Sequence, residues 1–406
     1  MTKKHGDSLI EEKSNKQEDK EKILQEDKTI LDVEHDKWDE FDDLSIRSVI
    51  AICTVILLIL GSGIVYVAWN NWWNDDLIGP GTFLTSRQQS YENLVGFSNL
   101  EINGQGIMVC IVDSGIDLTH PDLRHLELDG WKDFVNSKET VYDDHGHGTM
   151  MAGIMSAKGG LTGVANGVSL LVAKALSEEG TGSDEIVSEA INWCRNNQAD
   201  IISLSLGGAP GIIPSLISGD LVEESVNDAL DEGIYVIAAA GNDGEEETDE
   251  DVDSPCNVEN VICVGGVGIE GTIWSGSSKG SNDFQIFPPK LARQDPDKKP
   301  ELVAPAESIP VLVSTNKGEN EPTESTYGTA SGTSAATVYV SSAIALLLQS
   351  NPSLSRNGSN GGDIEVIEQV KQWIKETCLQ RTNSNEHDDY YGYGLLQVDI
   401  LIERAT

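Results

Sequence analysis

Apolar and polar positions divide this chain into unlike stretches. Residues 1–45 mix Lys, Glu, Asp and Gln with few large apolar side chains. Such a stretch cannot bury enough surface to offset its ordering entropy, so a disordered tail is predicted there, one unlike a conventional signal peptide. Residues 48–68 then read SVIAICTVILLILGSGIVYVA, 21 positions without a charge. As a helix they span about 31 Å, close to the ~30 Å hydrocarbon core of a bilayer. One transmembrane helix is therefore predicted over 46–69. Arg47 marks its N-terminal edge, and Trp69, Trp72 and Trp73 follow its C-terminal edge, where amphipathic rings favour the headgroup layer. Residues 70–100 carry Gly79, Pro80 and Gly81 with little periodicity and read as a linker. Beyond them, apolar runs of strand length at 107–112, 170–175, 201–206, 235–240 and 261–264 alternate with amphipathic stretches such as 183–196 and 221–232. That alternation predicts an α/β fold over 101–406, a mainly parallel sheet between two layers of helices, with no internal repeat.

Charge narrows the partners. Against 27 Lys and Arg stand 67 Asp and Glu, a net charge of −40. Nucleic acid and anionic lipid surfaces both need a basic footprint, so no nucleic acid is expected and membrane contact runs through residues 46–69. Lys28, Lys37 and Arg47 precede the span within 20 residues, and Arg87 alone follows it. The positive-inside bias then leaves the N-terminus cytoplasmic and the rest of the chain outside. Six cysteines are too scattered for a disulfide framework. Cys53 lies in the apolar span. Cys110 within a strand-like run and Cys194 within a helical pattern read as core thiols. Cys256 and Cys263 flank a short turn and are close enough in sequence to pair in an oxidising compartment; the sequence leaves that open.

Three local patterns carry chemistry. Val112-Asp113-Ser114-Gly115-Ile116-Asp117 follows an apolar run, and a carboxylate at a strand end can orient a histidine, although Asp before Gly is also a common turn. His145-Gly146-His147-Gly148-Thr149-Met150-Met151-Ala152-Gly153 leads into a helical pattern over 150–157. On this fragment alone, a loop histidine is an equal reading. Gly328-Thr329-Ala330-Ser331-Gly332-Thr333-Ser334-Ala335-Ala336 runs into the apolar 338–348. It sets a serine at a helix N-terminus, where free N–H groups and the helix dipole favour a developing anion; an ordinary serine cap is the plainer alternative.

Together these segments resemble the subtilase family of serine peptidases. Asp-Ser-Gly-Ile-Asp, His-Gly-Thr-x-x-Ala-Gly and Gly-Thr-Ser-x-Ala occur in the order Asp, His, Ser typical of subtilisins. Ala238-Ala239-Ala240-Gly241-Asn242-Asp243-Gly244 also matches, and the likeness extends to Gly392-Tyr393-Gly394-Leu395-Leu396-Gln397-Val398. The resemblance implies a serine endopeptidase whose chemistry requires no cofactor. Ser334 is its nucleophile, His147 its base, Asp113 the orienting carboxylate and Asn242 the oxyanion donor. It also implies an extended substrate between Gly180-Thr181-Gly182 and Ser205-Leu206-Gly207-Gly208, adding a strand to each.

Departures from the family are few. Met150 stands for a second histidine, Ala335 and Val338 for a Met and a Pro, Asn166 for a Pro and Ala306 for a Gly. None removes a reacting group. The stretch 157–163 is shorter than the loop that holds calcium in bacterial subtilisins. Asp122 matches one ligand of that site, but its partners are not evident, so the expectation of structural calcium rests on that residue alone. Between residue 68 and the core lie roughly 30 residues, fewer than the ~40 a domain usually needs to fold unaided, so the family's folded pro-domain is not expected here. Glu178, Glu179, Asp184, Glu185 and the acidic run 245–251 flank the implied cleft. They read either as solvated surface or as a preference for basic substrates. A catalytically silent binding protein on the same fold is the rival, although all four site positions are intact. A nucleotide site is excluded, since Asp113-Ser114-Gly115-Ile116 is no phosphate loop.

Overall fold

The structure, a computed structural model, describes residues 47–65, 79–98, 100–206, 219–245, 251–284, 291–315, 325–381 and 386–406. Residues 1–46, the Trp69, Trp72 and Trp73 cluster, the first part of the expected linker, Gly207 and Gly208, and 246–250 lie outside the described residues.

Helix α1, Arg47–Val65, is a unit by itself: 19 residues of mean hydropathy 2.7, with none of its most apolar window buried. The second compact unit begins at Gly79. Here the linker expectation is corrected. Thr82–Leu94 forms helix α2, and its Tyr91 is buried. Arg87 Nε donates to the carbonyl of Ser308 at 2.7 Å, and the Tyr91 hydroxyl donates to that of Glu307. With only Tyr91 fully buried, α2 has too sparse an apolar face to show periodicity in sequence.

Seven parallel strands form the central sheet in the order β2-β3-β1-β4-β5-β6-β7. They are β1 Met108–Asp113, β2 Gly130–Asp133, β3 Ser169–Lys174, β4 Ile201–Leu204, β5 Tyr235–Ala239, β6 Ile262–Val267 and β7 Leu302–Pro305. β4 to β7 are buried at every position, because a parallel sheet is covered on both faces and its strands read as continuous apolar runs. Helices α3 (His147–Ser156) and α6 (Thr333–Ser350) pack on each other and on one side of the sheet. Helices α4 (Asp184–Asn196) and α5 (Gly219–Asp231) pack on each other and cover β1, β3 and β5 from the other side. α4 starts where its chemistry dictates: Ser183 caps it by accepting from the Ile186 N–H, with Asp184 and Glu185 in the first turn and Arg195 in the last. A two-stranded antiparallel ribbon, β8 Ile309–Leu312 with β9 Tyr327–Ala330, leads into α6. Helices α7 (Ile364–Thr377) and α8 (Val398–Ala405) close the fold. Lys371 on α7 and Lys299 are both fully buried and share the Glu301 carboxylate, at 2.8 and 2.7 Å.

The cysteine expectations are corrected in part. Cys110 on β1 and Cys194 on α4 are not separate thiols but a disulfide, with Cα atoms 5.8 Å apart. They are 84 residues apart in sequence, and only the packing of α4 over β1 brings them together. Cys256 and Cys263 are also joined, with a Cα separation of 4.8 Å, whereas Cys53 and Cys378 are free.

Candidate active site

β3 and β4 flank β1 in the sheet, so the chain turns outward in both directions from the C-terminal end of β1. Such a switch point is where open α/β sheets place their ligands. Asp113 is the last residue of β1 and is 0% exposed. Its carboxylate oxygens accept from Nδ1 of His147 at 2.8 and 2.9 Å, and one also accepts the N–H of Ser114. An acceptor-only partner at Nδ1 fixes the tautomer and leaves Nε2 of the neutral ring as a base.

His147 opens α3, and its side chain is 24% exposed. Partial burial works against its charged form. The Asp113 charge and hydrogen bond, helped by the Asp143 charge, outweigh that and raise its pKa above the usual imidazole value. Asp143 is a further positioning group. Buried, it accepts the N–H of Gly146 at 2.7 Å, the N–H and hydroxyl of Thr149, and the hydroxyl of Ser114 at 2.8 Å. One carboxylate thus ties the start of the histidine helix to the turn after Asp113. Lys174 completes the frame. Fully buried and in register with Asp113, it donates to the carbonyls of Ser114 and Leu176 and to Asp144, at 2.7, 2.8 and 2.6 Å.

Ser334 is the second residue of α6 and 5% exposed. Its hydroxyl donates to the carbonyl of Ser205 at 3.1 Å and must turn from there to reach an imidazole. Asn242 follows β5. Its side-chain oxygen accepts the N–H and hydroxyl of Thr333, at 2.9 and 3.0 Å. This turns its NH₂ group away from Thr333: a methyl placed on Gly332 would sit 3.6 Å from that nitrogen and 3.9 Å from the Ser334 amide nitrogen. The Asn242 amide and the Ser334 N–H thus both lie near Gly332, beside the serine. Ser341 Oγ, one face further along α6, bonds Ser203 Oγ on β4 at 2.9 Å and fixes the helix on the sheet.

Of the implied substrate segments, Ser205 and Leu206 extend β4 beside Ser334. Gly180 rests on the imidazole of His145, two residues before His147. The Thr181 carbonyl accepts from Ser177, and Gly182 makes no backbone hydrogen bond among the described residues.

Asp122 does not fit the calcium role. It is buried, and its oxygens accept the N–H groups of Gly160 and Leu161 at 2.8 and 2.9 Å and the hydroxyl of Tyr327 at 3.0 Å. These donors aim hydrogen at the carboxylate where a cation would require oxygen ligands. A side chain on Gly159 would run into that carboxylate, so the short turn closes on it in the ion's place.

Sequence reading missed Asp143, Lys174 and Thr333 as supports of the site. Asp143 carried no local signal in sequence, and Lys174 was visible only as the one charge in an apolar run.

Comparison with known proteins gives the family. Residues 104–394 match the subtilase family, peptidase group S8. The major intracellular serine protease of Bacillus subtilis is 34% identical over 255 residues, 61% of this chain and 69% of that one. Subtilisin DY of Bacillus licheniformis is 30% identical over 299 residues, 73% and 90%. Subtilisin Savinase of Lederbergia lenta is 30% identical over 304 residues, 74% and 92%. With its core sequence, parallel sheet and site all of one kind, the chain belongs to the subtilase family as a serine endopeptidase of the subtilisin type.

Proposed function

We propose that this chain hydrolyses peptide bonds in proteins or peptides through an acyl-enzyme on Ser334 and is held at a membrane by α1. The observation that carries the reading is the pairing of His147 Nδ1 with both Asp113 oxygens at the end of β1, while Asn242 is turned to present its NH₂ beside Ser334. In the reaction, His147 Nε2 takes the Ser334 hydroxyl proton as Oγ attacks the scissile carbonyl. Asp113 stabilises the imidazolium that forms. The Asn242 NH₂ and the Ser334 N–H at the start of α6 receive the oxyanion. His147 then protonates the leaving amine, and water, deprotonated by the same ring, releases the acyl group. These side chains, the substrate and the attacking water account for every proton that moves, so the reading requires no cofactor.

The tether rests on α1, which is long and apolar enough to cross a bilayer. Two disulfides suit an oxidising compartment, which together with the basic residues before α1 supports an outward-facing catalytic unit. A fluorophosphonate probe tests the chemistry. It should label the detergent-solubilised chain and not Ser334→Ala; a folded wild-type chain that resists labelling defeats the proposal. Removal of residues 1–73 should move the protein from the membrane to the soluble fraction, and retention at the membrane removes the role given to α1.

A further inference from the structure

One carboxylate, that of Asp253, lies beside Gly241, the residue before Asn242. If the chain cleaves as proposed, the scissile carbonyl sits between Ser334 Oγ and the Asn242 NH₂, and the residue supplying that carbonyl has its Cα one bond away. Its side chain leaves over the extensions of β4 and β5, which are parallel neighbours with Leu204 opposite Ala238. Those extensions carry Ser205 on one side and Ala240, Gly241 and Asn242 on the other.

Gly241 has φ +121° and no side chain to fill this floor. A methyl placed on it would lie 2.7 Å from Oδ2 of Asp253 and would meet Ser278 Oγ as well. Since consecutive Cα atoms are about 3.8 Å apart, this carboxylate stands within about 8 Å of the Asn242 Cα. It is firmly held: the Asp253 N–H donates to the carbonyl of Ala240 at 2.9 Å, and Cys256, three residues on, is bridged to Cys263 in β6. Asp243, just after Asn242, accepts the hydroxyl of Ser278 on the same wall and adds a second negative charge.

We propose that Asp253 selects lysine or arginine as the residue that donates the scissile carbonyl. A half-buried carboxylate rewards a cation more than solvated charges do, and it penalises an apolar side chain that strips its water without replacing it. A carboxylate offers about four acceptor sites, so contacts within the protein do not exclude a substrate ammonium or guanidinium. The glycine at 241 keeps the path between the acyl position and the charge open.

The test uses the detergent-solubilised full chain and peptide substrates that differ only in the residue before the scissile bond. Lysine or arginine there should exceed leucine and phenylalanine at least about tenfold in kcat/KM, and Asp253→Asn should cut that ratio about 10–100-fold. Because each ratio is taken within one preparation, it does not depend on the active fraction. A ratio near one in the wild type, or a ratio unchanged in Asp253→Asn, overturns the assignment. Should Asp253→Asn fail to fold, benzamidine on the wild type decides. It should inhibit at least about tenfold more strongly than neutral benzamide, and equal inhibition refutes the assignment. Fluorophosphonate labelling separates the two levels. A chain that labels but prefers apolar residues loses this specificity and keeps its chemistry, whereas one that neither labels nor cleaves loses both.

Discussion

Helices α1 and α6 are nearly equal in length, 19 and 18 residues, and both pass for membrane spans by composition. Yet no part of the apolar window of α1 is covered by protein, and 89% of that of α6 is. Hydropathy measures how readily side chains leave water, not what receives them. Their composition shows the difference. α1 is rich in bulky Ile, Leu and Val, with Thr54 and Ser62 returning their hydroxyls to the Ile50 and Ile59 carbonyls. α6 mixes Ala, Ser and Thr among its apolar residues, so its backbone can lie close across β4 to β7, and Ser341 reaches a partner on the sheet. The uncovered helix is made mostly of bulky aliphatic residues, whereas the core helix is fitted to its neighbours.

The largest test of that contrast lies at the start of α6. Ser334→Ala should lower kcat by about 10⁶, the scale of losing a triad nucleophile, whereas Leu57→Ala in α1 should leave kcat unchanged in detergent. A residual rate in Ser334→Ala within tenfold of wild type would remove α6 from the chemistry. Next comes Asn242→Ala, expected to cost about 10²–10³ in kcat with little change in KM, since its donor acts on charge that develops later. A loss confined to KM instead makes it a ground-state contact. Packing gives the third contrast. Leu346, fully buried in α6, should cost about 2–5 kcal/mol as Leu346→Ala in chemical denaturation, against less than about 0.5 kcal/mol for Leu57→Ala. Equal effects would mean that α1 is packed against protein after all.

The pH profile sharpens the picture of the cleft facing α6. Activity needs neutral His147, and its raised pKa places the acid limb of kcat/KM above the usual ~6.5. The same shift has a stability sign. With the folded value above the unfolded one, the contribution is complete below about 6.5 and is lost as pH rises through the folded value. An acid limb at or below 6.5 contradicts the Asp113 pairing as the dominant influence. The smallest effect is expected from chelation: with Asp122 occupied by two amides and a tyrosine hydroxyl, the thermal midpoint should not move when EDTA replaces calcium. A marked drop would restore a metal to this fold.

Where burial made the local pattern one-sided, the sequence could be read. The runs at 107–112, 170–175, 201–206, 235–240 and 261–264 correspond to β1, β3, β4, β5 and β6 with ends shifted by a few residues, because strands covered on both faces are apolar throughout. Elements that mix exposures, or are too short to form an apolar run of their own, escaped. β2 is Gly-Trp-Lys-Asp at a sheet edge, β7 ends in proline, and α2 buries a single tyrosine. The four site positions were legible because glycine and small residues surround each in a fixed local pattern. Asp143, Lys174 and Asp253 were not, since a lone charge in sequence looks like surface. Their meaning comes from partners supplied by distant segments: Ser114 for Asp143, Asp144 for Lys174, Gly241 for Asp253. The Cys110–Cys194 bridge was hidden for the same reason.

The seam between the end of α2 and the start of α8 has a topological consequence. The N–H of Val398 donates to the carbonyl of Val95 at 2.9 Å, and the Gln397 side chain reaches the carbonyl of Leu94. Segments 303 residues apart in sequence are thus stitched together at the end of one helix and the start of the other. Each helix end is held by the other, so fraying that would start at α8 has first to break the hold of α2.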